Sequence, residues 1–133
     1  MRPRMVRKQL TLALSSGTGW ATARPLPALG RQGRILAVLA RKDDTNNAAT
    51  AIEVWIADAA LSATPDDLVV FYASGSVDVS GSGSDTDASL RDALAVPAPY
   101  AVDAVGDVRV NLKVTAGSGA TDVYITVYAE VWG

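Results

Sequence analysis

The 133-residue chain contains no cysteine and no histidine. Without cysteine there are no disulfides, thiolate zinc sites or cysteine nucleophiles, so the fold must rest on packing. Without histidine the usual imidazole base, the Ser-His-Asp arrangement and the commonest transition-metal ligand are all missing, and most enzyme classes lose their reactive groups. Aromatic residues make up only 6%, with one phenylalanine. No apolar run approaches the roughly 18 residues that a membrane span requires. The start of the chain, MRPRMVRKQLTLAL, is basic and then apolar in the manner of a secretory signal, but Gln9 and Thr11 interrupt the apolar part. It reads instead as a strand with a basic lead-in.

What is present suits one soluble globular domain. Hydrophobic residues are 49% and charged residues 20%, and a chain of this length buries roughly two-thirds of its unfolded surface. The net charge of −2 conceals an uneven distribution. Residues 1–42 hold nine basic residues and no acid, for +9, whereas residues 43–133 hold all 14 acids with Arg91, Arg109 and Lys113, for −11. Within one copy, such a division lets a basic first third fold against an acidic remainder. Between copies, it lets the basic segment of one subunit meet the acidic surface of the next.

Alternation of period 2 dominates the pattern. Val108, Val110, Leu112 and Val114 alternate with Arg109, Asn111, Lys113 and Thr115. After Ala116-Gly117-Ser118-Gly119, Val123, Ile125, Val127, Ala129 and Val131 fall on one parity, with Tyr124, Thr126, Tyr128, Glu130 and Trp132 on the other. Two such runs around a glycine-containing turn predict a C-terminal β-hairpin. Further strands are expected at 5–14, at 51–57 and at 68–72, the last with a continuation over 76–80. Residues 34–41, RILAVLAR, are apolar on both parities and suit a central strand or a short buried helix. Turn residues cluster at 15–19, 25–33, 42–47 and 62–67. Asp85 or Thr86 is placed to cap one short helix through Leu90 and Leu94, ended by Pro97. The expected fold is therefore all-β: one antiparallel β-sandwich or jelly roll over residues 1–133, with at most one short helix and with residues 1–14 as a basic N-terminal arm or strand.

The candidate sites each have a plain alternative. Asp78, Asp85 and Asp87 flank a Gly/Ser loop at 74–84, but the spacing lacks the offsets and terminal Glu of a calcium loop. The adjacent pairs Asp43-Asp44 and Asp66-Asp67 sit in turns, where carboxylates ordinarily cap backbone, and not across a cleft as glycosidase acids do. Gly30-Arg31-Gln32-Gly33-Arg34 matches no phosphate-binding fingerprint and reads as a charged turn before a strand. Nine basic residues spread over 42 positions of an acidic chain do not mark a nucleic-acid site. Trp20, Trp55 and Trp132 are the large anchors. Tyr124, Tyr128 and Trp132 form a stripe opposite the aliphatic face of the last strand, placed to cover a neighbouring element, contact another subunit or stack on sugars, unless both faces are buried.

An Arg-rich start, Gly/Ser loops and a terminal run YITVYAEVWG, in a chain without cysteine or histidine, resemble small virion proteins of tailed bacteriophages. The likeness is to head decoration or cement proteins and related head and tail accessory proteins, strongest over 106–133. It implies a β-sandwich or jelly-roll protomer, often oligomeric, that binds capsid protein and reinforces the shell of a virion assembled in the bacterial cytoplasm. On this reading the protein is not an enzyme. It needs no cofactor, metal, small-molecule substrate, nucleic acid or membrane, and its partners are capsid or other virion proteins and further copies of itself. Arg2, Arg4, Arg7 and Lys8 together with Tyr124, Tyr128 and Trp132 are the expected protein-interface residues. A carbohydrate- or receptor-binding β-sandwich of the tail-fibre type is the alternative, with the tyrosines and tryptophan as its stacking platform.

Overall fold

Two long strands, β4 (Gln32–Ala57) and β9 (Arg109–Trp132), organise the protein. The computed structural model describes residues 3–14, 17–26, 29–60, 70–79, 87–89, 99–102 and 108–132, with backbone alone for 42–49, 87–89, 99, 118, 119 and 121. Strands β4 and β9 pair antiparallel from Gln32↔Trp132 to Ala57↔Arg109, a ribbon running nearly the length of both. Its register slips repeatedly between Lys42 and Ile52. On either side of that irregular stretch the side chains of both strands bury into one common hydrophobic cluster. The ribbon is thus folded over on itself, and its two halves lie in two facing layers.

Short strands complete each layer. In the first, β1 (Arg4–Leu14) pairs along its whole length with the second half of β9. On the far side of β4, β7 (Asp87–Ser89) and β8 (Pro99–Ala101) lie against 39–41 and 32–34. In the second, β2 (Gly19–Trp20) and β3 (Arg24–Pro25) accompany the first half of β9. They act as one interrupted strand, since Ala21 N donates to Leu112 O at 2.8 Å and Leu26 N to Val108 O at 2.9 Å. Across the layer, β5 (Val70–Ala73) and β6 (Val77–Asp78) follow the second half of β4 in the same interrupted way. Counting each half of β4 and β9 as one passage, and β2 with β3, β5 with β6 and β7 with β8 as one each, gives eight passages in chain order; the layers then have the passage orders 1-8-3-6 and 2-7-4-5, which is the connectivity of a jelly roll.

The all-β sandwich expected from the sequence is therefore present, but three local expectations are corrected. No C-terminal hairpin exists: residues 108–115 and 123–132 do not pair with each other, and β9 runs through Gly117 (φ 141°) as a single bent strand whose halves serve opposite layers. The turn expected at 42–47 is likewise a bend within β4. Asp87, Ala88 and Ser89 form a strand where a helix was expected. The rest of that helix, with Asp85, Thr86, Leu90, Leu94 and Pro97, lies outside the described residues, as does the turn at 62–67.

The core joins the inner faces. Ile52, Val54 and Ile56 from β4, with Val110, Leu112 and Val114 from β9, face Leu12 from β1 and Val123, Ile125 and Val127 from the other half of β9, all essentially without solvent contact. Each fully buried side chain of this size contributes about 1.5–3 kcal/mol. Two buried polar groups are satisfied locally. Ser74 Oγ accepts from Val54 N at 2.8 Å and donates to Gly75 O at 2.7 Å. Asn111, on the outer parity of β9, is covered where the chain turns back after β4, and its Nδ2 donates to Ala59 O at 3.2 Å.

Tyr100 closes one end of the core. Its hydroxyl donates to Leu29 O and its ring packs 5.6 Å from that of Phe71. Burial pushes this hydroxyl up to about 12 from its ordinary 10, against the opposing influence of the Arg4 guanidinium. The folded state therefore holds the Tyr100 proton more tightly than the unfolded chain does. This contribution to stability is complete below pH 10 and is lost as pH rises from 10 through about 12. Tyr100→Phe should remove that alkaline loss and lower neutral-pH stability by about 1 kcal/mol. Urea titrations at a series of alkaline pH values check this, and an alkaline slope identical in the variant would contradict it.

Candidate interaction face

The outer surface of the first layer is a grid whose rungs follow from strand register. Residues of β1 with odd numbers point away from the core, as do the even-numbered residues of the second half of β9. Pairing then sets three-strand rungs with the β9 residue in the middle, Met5–Glu130–Arg34, Gln9–Thr126–Leu39 and Thr11–Tyr124–Arg41, and puts Arg7 beside Tyr128. A register shift between Ile35 and Ala37 inserts Leu36 as an extra residue in β4, and such bulges re-aim side chains. Leu36 and Leu39 are consequently half-buried, neither fully in the core nor free of it. Trp132 lies one step beyond, opposite Gln32. Four rungs across three strands cover on the order of 10 by 20 Å.

The chemistry of this face is aromatic, apolar and cationic. Met5 stands 63% exposed, the largest exposure of any bulky apolar side chain among the described residues. The Arg7 guanidinium reaches Tyr128, with Nε donating to the hydroxyl at 3.3 Å and Cζ 6.0 Å from the ring centroid. That contact is worth about 0.5–1 kcal/mol at an exposed site. Arg34 approaches Glu130 at 3.7 Å, but with the arginine half exposed the pair adds little stability.

Of the residues that the sequence singled out, the structure brings together Arg7, Tyr124, Tyr128 and Trp132. Arg4 and Lys8 do not join them, because their even numbers put them on the parity of Val6, Leu10 and Leu12 at the sheet edge. Arg2 lies outside the described residues. Met5, Leu36, Leu39, Arg34 and Arg41 were not anticipated. The register that places them beside β9 is non-local, and the bulge at Leu36 scrambles the parity of 34–41. The other two tryptophans are elsewhere, on the outside of the second layer. There Trp20 and Trp55 meet edge to face at 6.4 Å, and Lys113 Nζ sits 5.5 Å over the Trp20 ring.

Other candidate sites stay apart from this face. Gly30 takes a left-handed turn (φ 70°) and Gly33 is a packing position beneath Tyr100, so 30–34 is the entry to β4. Asp66, Asp67 and Asp85, and the side chains of Asp43, Asp44 and Asp87, fall outside what is described. Among the described residues, no three His, Cys, Asp or Glu side chains are grouped to hold a metal ion, and no helix is long and apolar enough to cross a membrane.

No protein-family profile and no curated protein matches the sequence. Several solved structures are similar in shape. A Bacillus endospore appendage pilus protein aligns over 99% of this chain and 93% of its own, at 9% identity and a TM-score of 0.41. A chain of turnip yellow mosaic virus aligns over 98% of this chain and 82% of its own, at 10% identity and a TM-score of 0.41. A chain of infectious bursal disease virus, Gx strain, contains the whole of this fold within 33% of its length, at 12% identity and a TM-score of 0.40.

Proposed function

We propose that the protein is a non-enzymatic structural component of a bacteriophage virion, a capsid decoration or cement protein or another capsid-associated protein, which binds neighbouring subunits and stabilises the shell. The observation that carries this reading is the outer face of the first layer. Tyr124, Tyr128 and Trp132 stand in one line, flanked by exposed Met5 and by Arg7 and Arg34. Aromatic residues, methionine and arginine are the types enriched where proteins bury surface against each other. A jelly-roll sandwich is also an architecture that viral capsids use, which supports the reading by analogy of fold only. Assembly would take place in the cytoplasm of the bacterial host.

The test is binding to purified particles. The protein should be recovered with them in fixed proportion to the capsid subunits. Tyr128→Ala and Trp132→Ala should each weaken binding about thirtyfold, the loss of about 2 kcal/mol that marks an interface anchor, while both variants remain folded by circular dichroism. Wild-type affinity in both variants would contradict the proposal. The same aromatic line favours one second reading, a carbohydrate- or receptor-binding module in which the rings stack on sugar faces. Glycan binding that is lost in Tyr128→Ala, with no recovery on particles, would select it.

A further inference from the structure

The open edge of β1 is long and its charged residues are all cations, and from this we propose that a partner protein adds an acidic, extended segment to the first layer as one more antiparallel strand. This goes beyond the virion reading and stands without it.

One side-chain contact fixes how that edge is arranged. Successive residues of a strand direct their backbone N–H and C=O groups to opposite sides within the sheet, and Arg24 Nη1, reaching over from β3, donates to Thr11 O at 3.4 Å. Thr11 therefore turns its carbonyl away from β9. By alternation the backbone groups of Met5, Arg7, Gln9, Thr11 and Ala13 face the open edge, and those of the even-numbered residues face β9. Among the described residues no other strand pairs with β1, which leaves eleven residues of edge. An edge of that length is a template for strand addition. The Arg24 contact is a single exposed hydrogen bond, so an incoming N–H can take its place.

Charge then states the kind of segment. Residues 3–14 hold Arg4, Arg7 and Lys8, residues 17–26 add Arg24 beside them, and neither run holds an acid. Of the residues paired with β1, the acids are Glu130 and Asp122 on β9, and Arg34 already meets Glu130. Opposite charges on facing strands attract and like charges repel. An acidic strand is thus favoured, whereas a second β1 would double the positive charge along the edge. Nucleic acid would answer the charge but not the backbone, because its phosphates only accept hydrogen bonds and leave the edge carbonyls unmatched.

Amide hydrogen exchange of the full chain, followed residue by residue by NMR, tests this with a synthetic probe. The probe is a peptide as long as β1, of alternating threonine and valine, with glutamate at the places that antiparallel pairing sets opposite Arg4, Arg7 and Lys8. At saturation Arg7, Gln9 and Thr11 should exchange at least about tenfold more slowly, and Val6, Lys8 and Leu10 should change far less. The same peptide with lysine for glutamate should not bind. Arg4→Gln/Arg7→Gln/Lys8→Gln should weaken binding of the acidic peptide about tenfold, the combined effect of its cross-strand charge pairs. Gln9→Pro removes an N–H that faces the open edge and spares the pairing with β9, so it should abolish binding while circular dichroism shows the variant folded. Any of four results would overturn the proposal: no slowing with the acidic peptide, equal slowing with the lysine peptide, the same slowing with oligothymidylate, or odd-numbered amides already slow in the free protein because copies pair through β1.

Discussion

Replacing Gly33 with valine should abolish folding or come close to it, and alanine at the same position should cost about 3 kcal/mol. Gly33 sits in β4 between Val131 of β9 and Tyr100 of β8. A Cβ built there falls 2.7 Å from Tyr100 Oη and 2.9 Å from Cζ, and nearer still to the Glu130 carbonyl oxygen. The ring can tilt only by giving up the hydrogen bond from its hydroxyl to Leu29 O. The Glu130 carbonyl has less freedom, being backbone of the central ribbon. Because domains of this size are stable by only about 5–15 kcal/mol, the alanine variant should show a clearly lower urea midpoint. Valine adds two methyl groups to the same clash. An alanine midpoint within error of wild type would show that the end of the layer is looser than its contacts imply.

Leu112→Ala is the second large effect. Leu112 has no exposure, lies at the centre of the first half of β9 and pairs with Val54. Its neighbours in the opposite layer belong to the same folded ribbon, so they cannot close on a cavity without shifting the corner that joins the layers. The loss should therefore sit toward the upper end of the usual range of about 2–5 kcal/mol for leucine truncation. Denaturant unfolding measures it directly. A cost under about 1 kcal/mol would mean that the layers collapse freely together and that the ribbon is not the rigid unit described. Thr115→Ala, exposed on the same strand, provides a control that should stay within about 0.5 kcal/mol.

These two positions also show what a sequence can and cannot disclose here. Leu112 is legible, since it falls on the buried parity of an alternating run, and the strands at 5–14, 51–57 and 108–115 follow from the same signal. Gly33 is not legible: nothing local distinguishes a glycine in a charged turn from a glycine wedged under a tyrosine 67 positions away. The corners fail for a related reason. Asp, Asn, Gly and Ser at 42–47 and 116–119 favour reversal of the chain, and they serve equally well in a sharply bent strand. What decides is that the two corners lie opposite each other, with Asn47↔Thr121 and Ala49↔Gly117 in register, so each has a partner that keeps it extended. That partnership is non-local. The candidate face was half legible on the same grounds. Alternation exposes the line of Tyr124, Tyr128 and Trp132, whereas the contribution of Met5 and Arg7 depends on pairing β1 with β9 across more than a hundred residues.

Hydroxyl-radical footprinting of the protein free in solution and bound to particles tests most directly whether the outer face of the first layer is the contacting surface. Met5, Tyr128 and Trp132 should lose reactivity on binding, while Trp20 and Trp55, on the outside of the second layer, should not change. Protection of Trp20 and Trp55 with Met5 and Trp132 still reactive would contradict it.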